Sequence, residues 1–429
     1  MAAQPNASRM SLYIVYINVV LYATCYQLQR PLEPFMVEAL IKEKGSGANQ
    51  AYANLQSFFQ VFQFFGALLA GFFLDKFGYK IGFILNFLAS AVSYFFLSQA
   101  TTMEMLYASK VPSMFQHGFL CAQMAISVLT DEGQSRAAAL GMLTTCYSIG
   151  MIVGPAVGGI LGSTGDYYFG AKLAIAGSLV SCALTLALPS PAAKSKLSPG
   201  KELKAPPVPD KFFVVFSVSV YLLLMTKVIT SVANSMQGTI FPLILKDKYA
   251  FDEKAMGFTI SALSIFNAFF NAFLVGPFIK LLGSDLLVVI GNCLCGGAVS
   301  LLAQGLGSWP SVEVNSPHAA MYSFLFTSVA LTVFQYVLAT SLTAETTGRV
   351  ADHHKGTVLG VEHSLFAASR IASPRIGVFL LSTYGTYLSA CVCSIIYAVS
   401  FTAWQRLKIN LVEDKDKGIS EKNGERKER

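Results

Sequence analysis

The chain has 429 residues, of which 54% are hydrophobic and 13% charged, and its mean hydropathy is +0.54. A soluble domain carries about 25% charged residues, so this composition excludes an ordinary soluble enzyme or binding module. Apolar segments of roughly 20 residues, the length of a membrane-crossing helix, recur from end to end and predict an integral membrane helical bundle. The formal net charge of +7 is therefore informative through its placement and does not indicate nucleic-acid binding.

Twelve apolar segments are predicted to cross the membrane as helices. The first follows Arg9 and is interpreted as helix 1 and not as a signal peptide, because no convincing small-residue cleavage site follows it. The predicted spans are Ser11–Gln29, Tyr52–Leu74, Ile81–Ala100, Met103–Leu129, Ala137–Leu161, Phe169–Leu188, Phe212–Ile240, Ala255–Ile279, Leu286–Gly305, Ala319–Leu342, Gly356–Ser382 and Tyr384–Gln405.

Basic residues concentrate in every second segment between the predicted spans, on the same side of the membrane as the N-terminus. If the N-terminus lies inside, most Lys and Arg side chains of the loops and tail also lie inside, which predicts that both termini are cytoplasmic. All eight cysteines fall within predicted spans, where apolar packing is their expected role. The sequence contains no nucleotide-binding loop, metal-ligand cluster or nucleophile motif, so we predict neither an enzyme nor a cofactor.

A stretch rich in Ser, Pro and Lys interrupts the apolar pattern at Pro189–Lys211 and predicts a flexible cytoplasmic linker. It separates an N-terminal six-helix half, residues 1–188, from a C-terminal half, residues 212–405. Residues 406–429 form a charged cytoplasmic tail, predicted to lack regular structure.

Two short patterns recur between the halves and favour an internal duplication. Gly71 and Gly78 recur 205 residues later as Gly276 and Gly283, although Asp75 becomes Lys280. A second pair of matching patterns lies 219 residues apart: Leu140-Gly141 corresponds to Leu359-Gly360, and Gly154-Pro155-x-x-Gly158 to Ser373-Pro374-x-x-Gly377.

The connection between the second and third predicted spans is short and polar. It contains Gly71, Asp75, Lys76, Gly78 and Lys80. Glycine permits a tight turn at Gly78, and the lysines indicate the cytoplasmic side. So short a connection makes the two helices neighbours.

The fifth predicted span contains a glycine–proline motif formed by Gly150, Gly154, Pro155, Gly158 and Gly159. Glycines four residues apart allow close approach of a second helix. Proline removes one backbone hydrogen bond and permits a bend. The alternative is ordinary small-residue packing without a special role.

Ionisable side chains within predicted spans are the first candidates for a transport site, since each costs about 2.5–3.5 kcal/mol on insertion scales. Lys110, Lys227 and Arg370 belong to this group. They either face a substrate cavity or bridge two helices. No carboxylate is predicted at their depth, because Glu33 and Glu362 fall at span ends.

Uncharged polar side chains complete the predicted cavity. His117 lies in the fourth predicted span. Imidazole is the side chain whose unperturbed pKa is near neutral, so His117 is a candidate for proton coupling or, alternatively, for a hydrogen bond to a neighbour. Gln60, Gln123 and Gln237 are predicted to line the cavity or, alternatively, to hydrogen-bond between helices.

The loop from Gly71 to Lys80 resembles the signature G-x-x-x-D-[RK]-x-G-x-[RK] of the major facilitator superfamily. This resemblance implies an all-α integral membrane fold of twelve helices in two pseudo-symmetric six-helix halves. It also implies that the loop, through Asp75 and its lysines, holds the halves together in the outward-facing state and releases them in the inward-facing one.

Two further resemblances narrow the family. The fifth-helix motif is similar to that of the drug:proton antiporters of the superfamily. The stretch Ala108–Pro112 with His117 and Ala122–Met124 resembles the solute carrier family 22 member 18 group, which is organic cation transporter-like. Lys227 and Arg370 match that group in position, whereas Lys110 stands where it places arginine.

The resemblance implies a secondary active transporter of a small organic solute, an organic cation or drug exchanged for protons by alternating access. The basic groups within the spans favour instead an organic-anion or neutral-metabolite carrier of the same fold. A transport-inactive membrane scaffold or sensor is a third hypothesis. The expected partners are a small-molecule substrate, the lipid bilayer and protons as coupling ion. We expect a monomer that binds no nucleic acid, in either the plasma membrane or an organelle membrane.

Overall fold

The structure is a computed structural model that describes residues 5–130, 134–189, 217–309, 316–350 and 355–427. These ranges contain helices and no strands. The α-helices are α1 (Pro5–Leu28), α2 (Glu33–Ile41), α3 (Ser46–Ser98), α4 (Met103–Lys110), α5 (Gly118–Leu129), α6 (Gln134–Gly162), α7 (Phe169–Leu186), α8 (Val218–Asp247), α9 (Glu253–Phe269), α10 (Val275–Leu282), α11 (Leu286–Gly307), α12 (Pro317–Gly348) and α13 (Lys355–Lys427).

Within the described ranges, nine helical segments are long and apolar enough to cross a membrane. The number falls short of twelve partly because several predicted spans are joined or divided. Helix α13 contains both the eleventh and the twelfth, whereas the fourth is divided by a 3-10 turn at Val111–Phe115. Pro112 lies at the start of that turn and has no N–H for an α-helical bond, which explains the division. The exact number of twelve spans stays a prediction.

Glycines with positive φ form four of the turns between successive predicted spans. Gly78 (φ 77°) interrupts α3 and Gly283 (φ 140°) ends α10. A second pair, Gly165 (φ 90°) and Gly385 (φ 79°), lies at the two other corresponding turns. Residues with a Cβ rarely adopt this conformation, so the glycines fix where the chain reverses. The separations within the pairs are close to the shifts of 205 and 219 residues found in the sequence.

The chain divides into two compact units. The first comprises Met1–Asp210 with Thr239–Ala268, and the second comprises Lys211–Gly238 with Phe269–Arg429. Helices α8 and α9 therefore contribute residues to both. The predicted linker lies almost entirely outside the described residues, and the domain boundaries proposed from the sequence stay a prediction.

The core of the first unit is an apolar cluster built by α1, α3, α5, α6 and α7. Its largest fully buried side chains are Tyr79, Phe83 and Phe87, on consecutive turns of α3. The Phe83 and Phe87 rings stack with their centroids 5.7 Å apart. Lys80, on the same helix, donates to the carbonyls of Leu186 and Leu188 and so ties α3 to the end of α7.

In the second unit, α13 packs on α11 through glycines that admit large rings. A Cβ at Gly297 would lie 2.4 Å from the Tyr397 ring, and one at Gly291 would lie 2.4 Å from Trp404. The Tyr397 hydroxyl donates to Asn234 of α8 at 2.6 Å. These contacts hold α8, α11 and α13 side by side.

The C-terminal tail differs from its prediction, because α13 continues as helix to Lys427. The charged sequence after Arg406 follows directly on a spanning helix. Extending an existing helix needs no new nucleation, the step that makes short isolated helices unfavourable.

Candidate functional site

Lys227 and Glu362 form a buried ion pair in the second unit. Lys227 lies about 14 Å along α8 from Val218, and its ammonium contacts Oε1 of Glu362 on α13. The Glu362 side chain is 5% exposed. The sequence placed Glu362 near the end of its span and assigned it no partner, whereas in the structure it pairs with Lys227.

Thr343 of α12 completes this cluster. Its hydroxyl accepts a hydrogen bond from the Lys227 ammonium at 2.7 Å and donates one to Oε1 of Glu362 at 2.9 Å. Three helices thus meet at one oxygen. The second carboxylate oxygen, Oε2, is buried without a hydrogen-bond partner among the described residues.

A polar line continues from this cluster along α8 and α13. Ser231, one turn beyond Lys227, shares a hydrogen bond of 2.6 Å with Ser369. Arg370 follows on α13 and lies over the Phe366 ring at 5.4 Å. Lys227 and Arg370, two of the charged residues singled out from the sequence, therefore belong to two helices that the Ser231–Ser369 hydrogen bond joins.

Lys110 belongs to a second buried pair, in the first unit. Its ammonium contacts Oε1 of Glu33 at the start of α2, and both side chains are nearly buried, at 13% and 12% exposure. Gln56 of α3 donates to the other oxygen of Glu33 at 2.6 Å. The Phe59 ring centroid lies 5.7 Å from the Lys110 ammonium, so a cation–π contact adds to the pair.

The divided fourth span places His117 at a helix start. The 3-10 turn leaves carbonyls outside the helical pattern, and two of these accept side-chain donors: Gln63 bonds Ser113 at 2.8 Å and Tyr22 bonds Gln116 at 3.0 Å. Nε2 of His117 is buried without a partner among the described residues. A Cβ at Gly66 would lie 2.6 Å from this atom, so glycine is what lets α3 approach the ring.

The three glutamines predicted to line a cavity lie in different environments. Gln60 is buried at 7% exposure, whereas Gln123 is exposed on α5. Gln237 is buried and donates to Gln304 at 2.9 Å, and Gln304 donates to Ser328 at the same distance. Gln237 therefore takes part in a hydrogen-bonded chain that links α8, α11 and α12.

The glycines of the fifth-helix motif form one face of α6, directly against α1. A Cβ at Gly150 would lie 2.4 Å from Ala23, one at Gly154 2.5 Å from Gln27, and one at Gly158 2.1 Å from the Leu28 carbonyl. Gly159 faces the other way, towards Gly257 of α9, whose own Cβ would lie 2.3 Å from the Pro155 carbonyl. The motif therefore sets two helix contacts within the first unit.

Further polar pairs join elements of the first unit. Lys246 at the end of α8 contacts Glu38 of α2, and Asn49 donates to Asp247 at 2.7 Å. Tyr167, between α6 and α7, donates to Glu253 at 2.8 Å. Burial, followed by this bond to Glu253, raises the pKa of Tyr167 to about 12. No motif indicated these pairs, because their members lie in predicted loops and helix ends.

In the loop predicted to act as a conformational switch, Gly78 makes the turn and Lys80 bonds the end of α7, as described above. Lys76 is exposed and lies over the Phe77 ring at 5.4 Å. The side chain of Asp75 and the environment of Gly71 lie outside the described residues, so the role of this loop stays a prediction.

Sequence reasoning missed Glu33, Glu362 and Thr343. Counting residues from span ends placed both carboxylates near the membrane surface, and a threonine within a helix gives no signal by itself. The lysines within the spans were the available signal that a carboxylate lies nearby, since a buried ammonium requires a partner. Among the described residues, no group of His, Cys, Asp and Glu is arranged to hold a metal ion.

Buried carboxylate, ammonium and imidazole groups of this kind can form hydrogen bonds and exchange protons. The sequence profile described as "Major Facilitator Superfamily" matches residues 15–231 and again 223–427. Solute carrier family 22 member 18 of Mus musculus is 25% identical over 406 residues, which cover 90% of this chain and 92% of the relative. The class D tetracycline resistance protein of Salmonella ordonez is 23% identical over 373 residues, covering 86% and 89%.

Solved structures share the same fold. The human organic anion transporter MFSD10 (TETRAN) superposes with a TM-score of 0.63 at 17% identity, over 94% of this chain and 100% of that one. The profile match covers nearly the whole chain, and the all-helical architecture agrees with it. The chain belongs to the Major Facilitator Superfamily and is a multi-pass membrane transporter, not an enzyme.

Proposed function

We propose that this transporter exchanges a small organic cation or lipophilic drug for protons by alternating access, with both termini on the cytoplasmic side. The observation that carries the proposal is the pairing of the two buried lysines. Lys110 meets Glu33 and Lys227 meets Glu362, so each ammonium is balanced by a carboxylate. A neutral pair that contains a carboxylate suits a cation and a proton as alternative ligands.

The pairing also weakens the case for an organic-anion carrier. That hypothesis depended on an excess of basic groups within the spans, and Lys110 and Lys227 each have an acidic partner. The names of the relatives, which include tetracycline resistance proteins and the Bacillus subtilis multidrug resistance protein 1, support a drug as the solute. The likeness to an organic anion transporter supports the fold alone, at 17% identity.

Proteoliposomes that contain the purified protein test the proposal. We expect an acidic lumen to drive accumulation of the cationic dye ethidium, and dissipation of the pH gradient to abolish it. Carboxyfluorescein, an anionic dye, serves as the matched probe in the same vesicles. Accumulation of carboxyfluorescein without ethidium would identify an anion carrier instead. If neither dye moves, and neither raises the unfolding temperature in detergent, the scaffold or sensor hypothesis is favoured.

A further inference from the structure

Glu362 has one carboxylate oxygen that accepts two hydrogen bonds and one that accepts none from the described residues. Oε1 accepts hydrogen bonds from Lys227 and Thr343, whereas Oε2 is buried without a partner among the described residues. A carboxylate offers about four acceptor positions, and a buried acceptor without a donor is costly. A hydrogen-bond donor added at Oε2 would therefore stabilise this cluster more than one added at Oε1.

We propose that Oε2 of Glu362 is the site at which an organic ammonium and a proton compete. This inference rests on the proposed function and names the group that couples the two ions. Either ligand supplies the missing donor: the proton makes Oε2 a hydroxyl, and the ammonium donates an N–H to it. The Lys227 ammonium remains on Oε1 in both cases, held in position by Thr343.

The charge of the cluster explains why the two ligands exclude each other. Lys227 and an ionised Glu362 sum to zero, so one bound proton or one bound cation brings the cluster to a single positive charge. Both together would place two positive charges in a buried site, where repulsion is poorly screened. Exclusive binding of one or the other at a shared site is the requirement for antiport.

On the helices that surround the cluster, the other charged residues lie away from Glu362 or are paired with each other. On α8, the charged residues besides Lys227 are Lys246 and Asp247 at its far end. On α12, Glu345 is held by Arg349 four residues later. Helix α11, which packs on α12 and α13, contains no charged residue, and on α13 Arg370 follows Glu362 by two turns. The side chain of His363 lies outside the described residues.

Ethidium binding and transport test the proposal with the full chain. For the wild type we expect the apparent Kd for ethidium in detergent to rise up to about tenfold for each unit by which the pH falls, the limit of one-to-one competition. Glu362→Gln should weaken binding at least about tenfold, remove its pH dependence and abolish accumulation driven by the pH gradient. Glu362→Asp, which keeps a carboxylate, should retain the pH dependence.

A double variant separates coupling from a structural bridge. Lys227→Met combined with Glu362→Gln removes both charges, and such replacements are often neutral or stabilising for the fold. If the pair only holds α8 against α13, this variant should recover pH-driven accumulation. We expect it to unfold at the wild-type temperature or above and still fail to couple. Glu345→Gln, which neutralises a carboxylate on α12 outside the cluster, is the matched control and should accumulate ethidium as the wild type does.

The two proposals fail in different ways. If the wild type does not accumulate ethidium in response to a pH gradient, the proposed function is wrong. If the wild type accumulates it and Glu362→Gln or the double variant does so equally, the function stands and the assignment of Oε2 is overturned.

Discussion

At the scale of single residues, the role of each buried lysine depends on the side chains that it contacts. A charge within the membrane is expensive whether it serves transport or not, so a lysine in a span indicates only that something compensates it. The structure gives Lys110 a carboxylate, an aromatic ring and a neighbouring glutamine that holds the carboxylate. This arrangement predicts strong coupling between Lys110 and Glu33.

We expect Lys110→Met or Glu33→Gln alone to lower the free energy of unfolding by about 3–5 kcal/mol, because each leaves one buried charge without its partner. The double variant should lose much less than the sum of the two. Thermal unfolding in detergent, analysed as a double-mutant cycle, measures the difference. Strictly additive losses would show that the two side chains do not interact in the folded protein.

At the scale of elements, the glycines of α6 show how one helix makes two close contacts. Gly150, Gly154 and Gly158 recur every four residues and face α1, whereas Gly159 lies about 100° further round the helix and faces α9. Without Cβ atoms on either face, the backbones approach until their carbonyls and Cα atoms touch. The packing of the first unit therefore depends on residues whose main property is small size.

The same substitution at two positions of α6 tests this dependence. We expect Gly158→Ala to destabilise the protein by about 1–3 kcal/mol, the usual cost of overpacking, because the new methyl would lie 2.1 Å from the Leu28 carbonyl. Gly141→Ala is the control, since nothing lies within 4 Å of its added methyl. Alanine there should be neutral or stabilising by up to about 1 kcal/mol.

Unfolding temperature and the yield of monodisperse protein report both effects. Equal behaviour of the two alanine variants would contradict the close contact between α6 and α1. A loss confined to Gly158→Ala would support it.

At the scale of the whole molecule, the positive-φ glycines describe a repeated chain path. Gly78 and Gly283 turn the chain after one pair of helices, and Gly165 and Gly385 do so after another. Such repetition is the basis on which transporters of this superfamily move one half against the other. If transport proceeds in this way, and the halves are those that the sequence predicts, α8 and α9 must separate from the helices of the N-terminal half that they contact.

A reversible cross-link tests that movement. Asn49 and Asp247 hydrogen-bond at 2.7 Å, so cysteines at both positions, in a background without the native cysteines, should be joined by a short bifunctional thiosulfonate reagent. We expect the joined protein to lose at least about nine-tenths of its ethidium transport and to regain it when the disulfides are reduced. The two single-cysteine variants, treated in the same way, control for the reagent. Full transport by completely cross-linked protein would show that this contact need not open.

The sequence by itself determined the class of protein. Apolar segments of spanning length, the placement of basic residues, the loop signature from Gly71 to Lys80 and the glycine–proline motif led to a major facilitator fold, which the family comparison confirms. These features are local: each depends on composition, or on residues within one turn or one helix. Backbone chemistry fixes their consequences, as at Gly78, where only glycine adopts the required turn at low cost.

Only the tertiary structure decided which charges meet. Lys227 and Glu362 are 135 residues apart and Lys110 and Glu33 are 77 apart, and nothing in the local pattern indicates either pairing. A lysine side chain reaches several ångströms along the helix axis, so counting residues from a span end misjudges the depth of its charged group. For that reason the sequence assigned neither lysine its carboxylate partner. Helix packing converts two isolated and costly charges into a neutral pair.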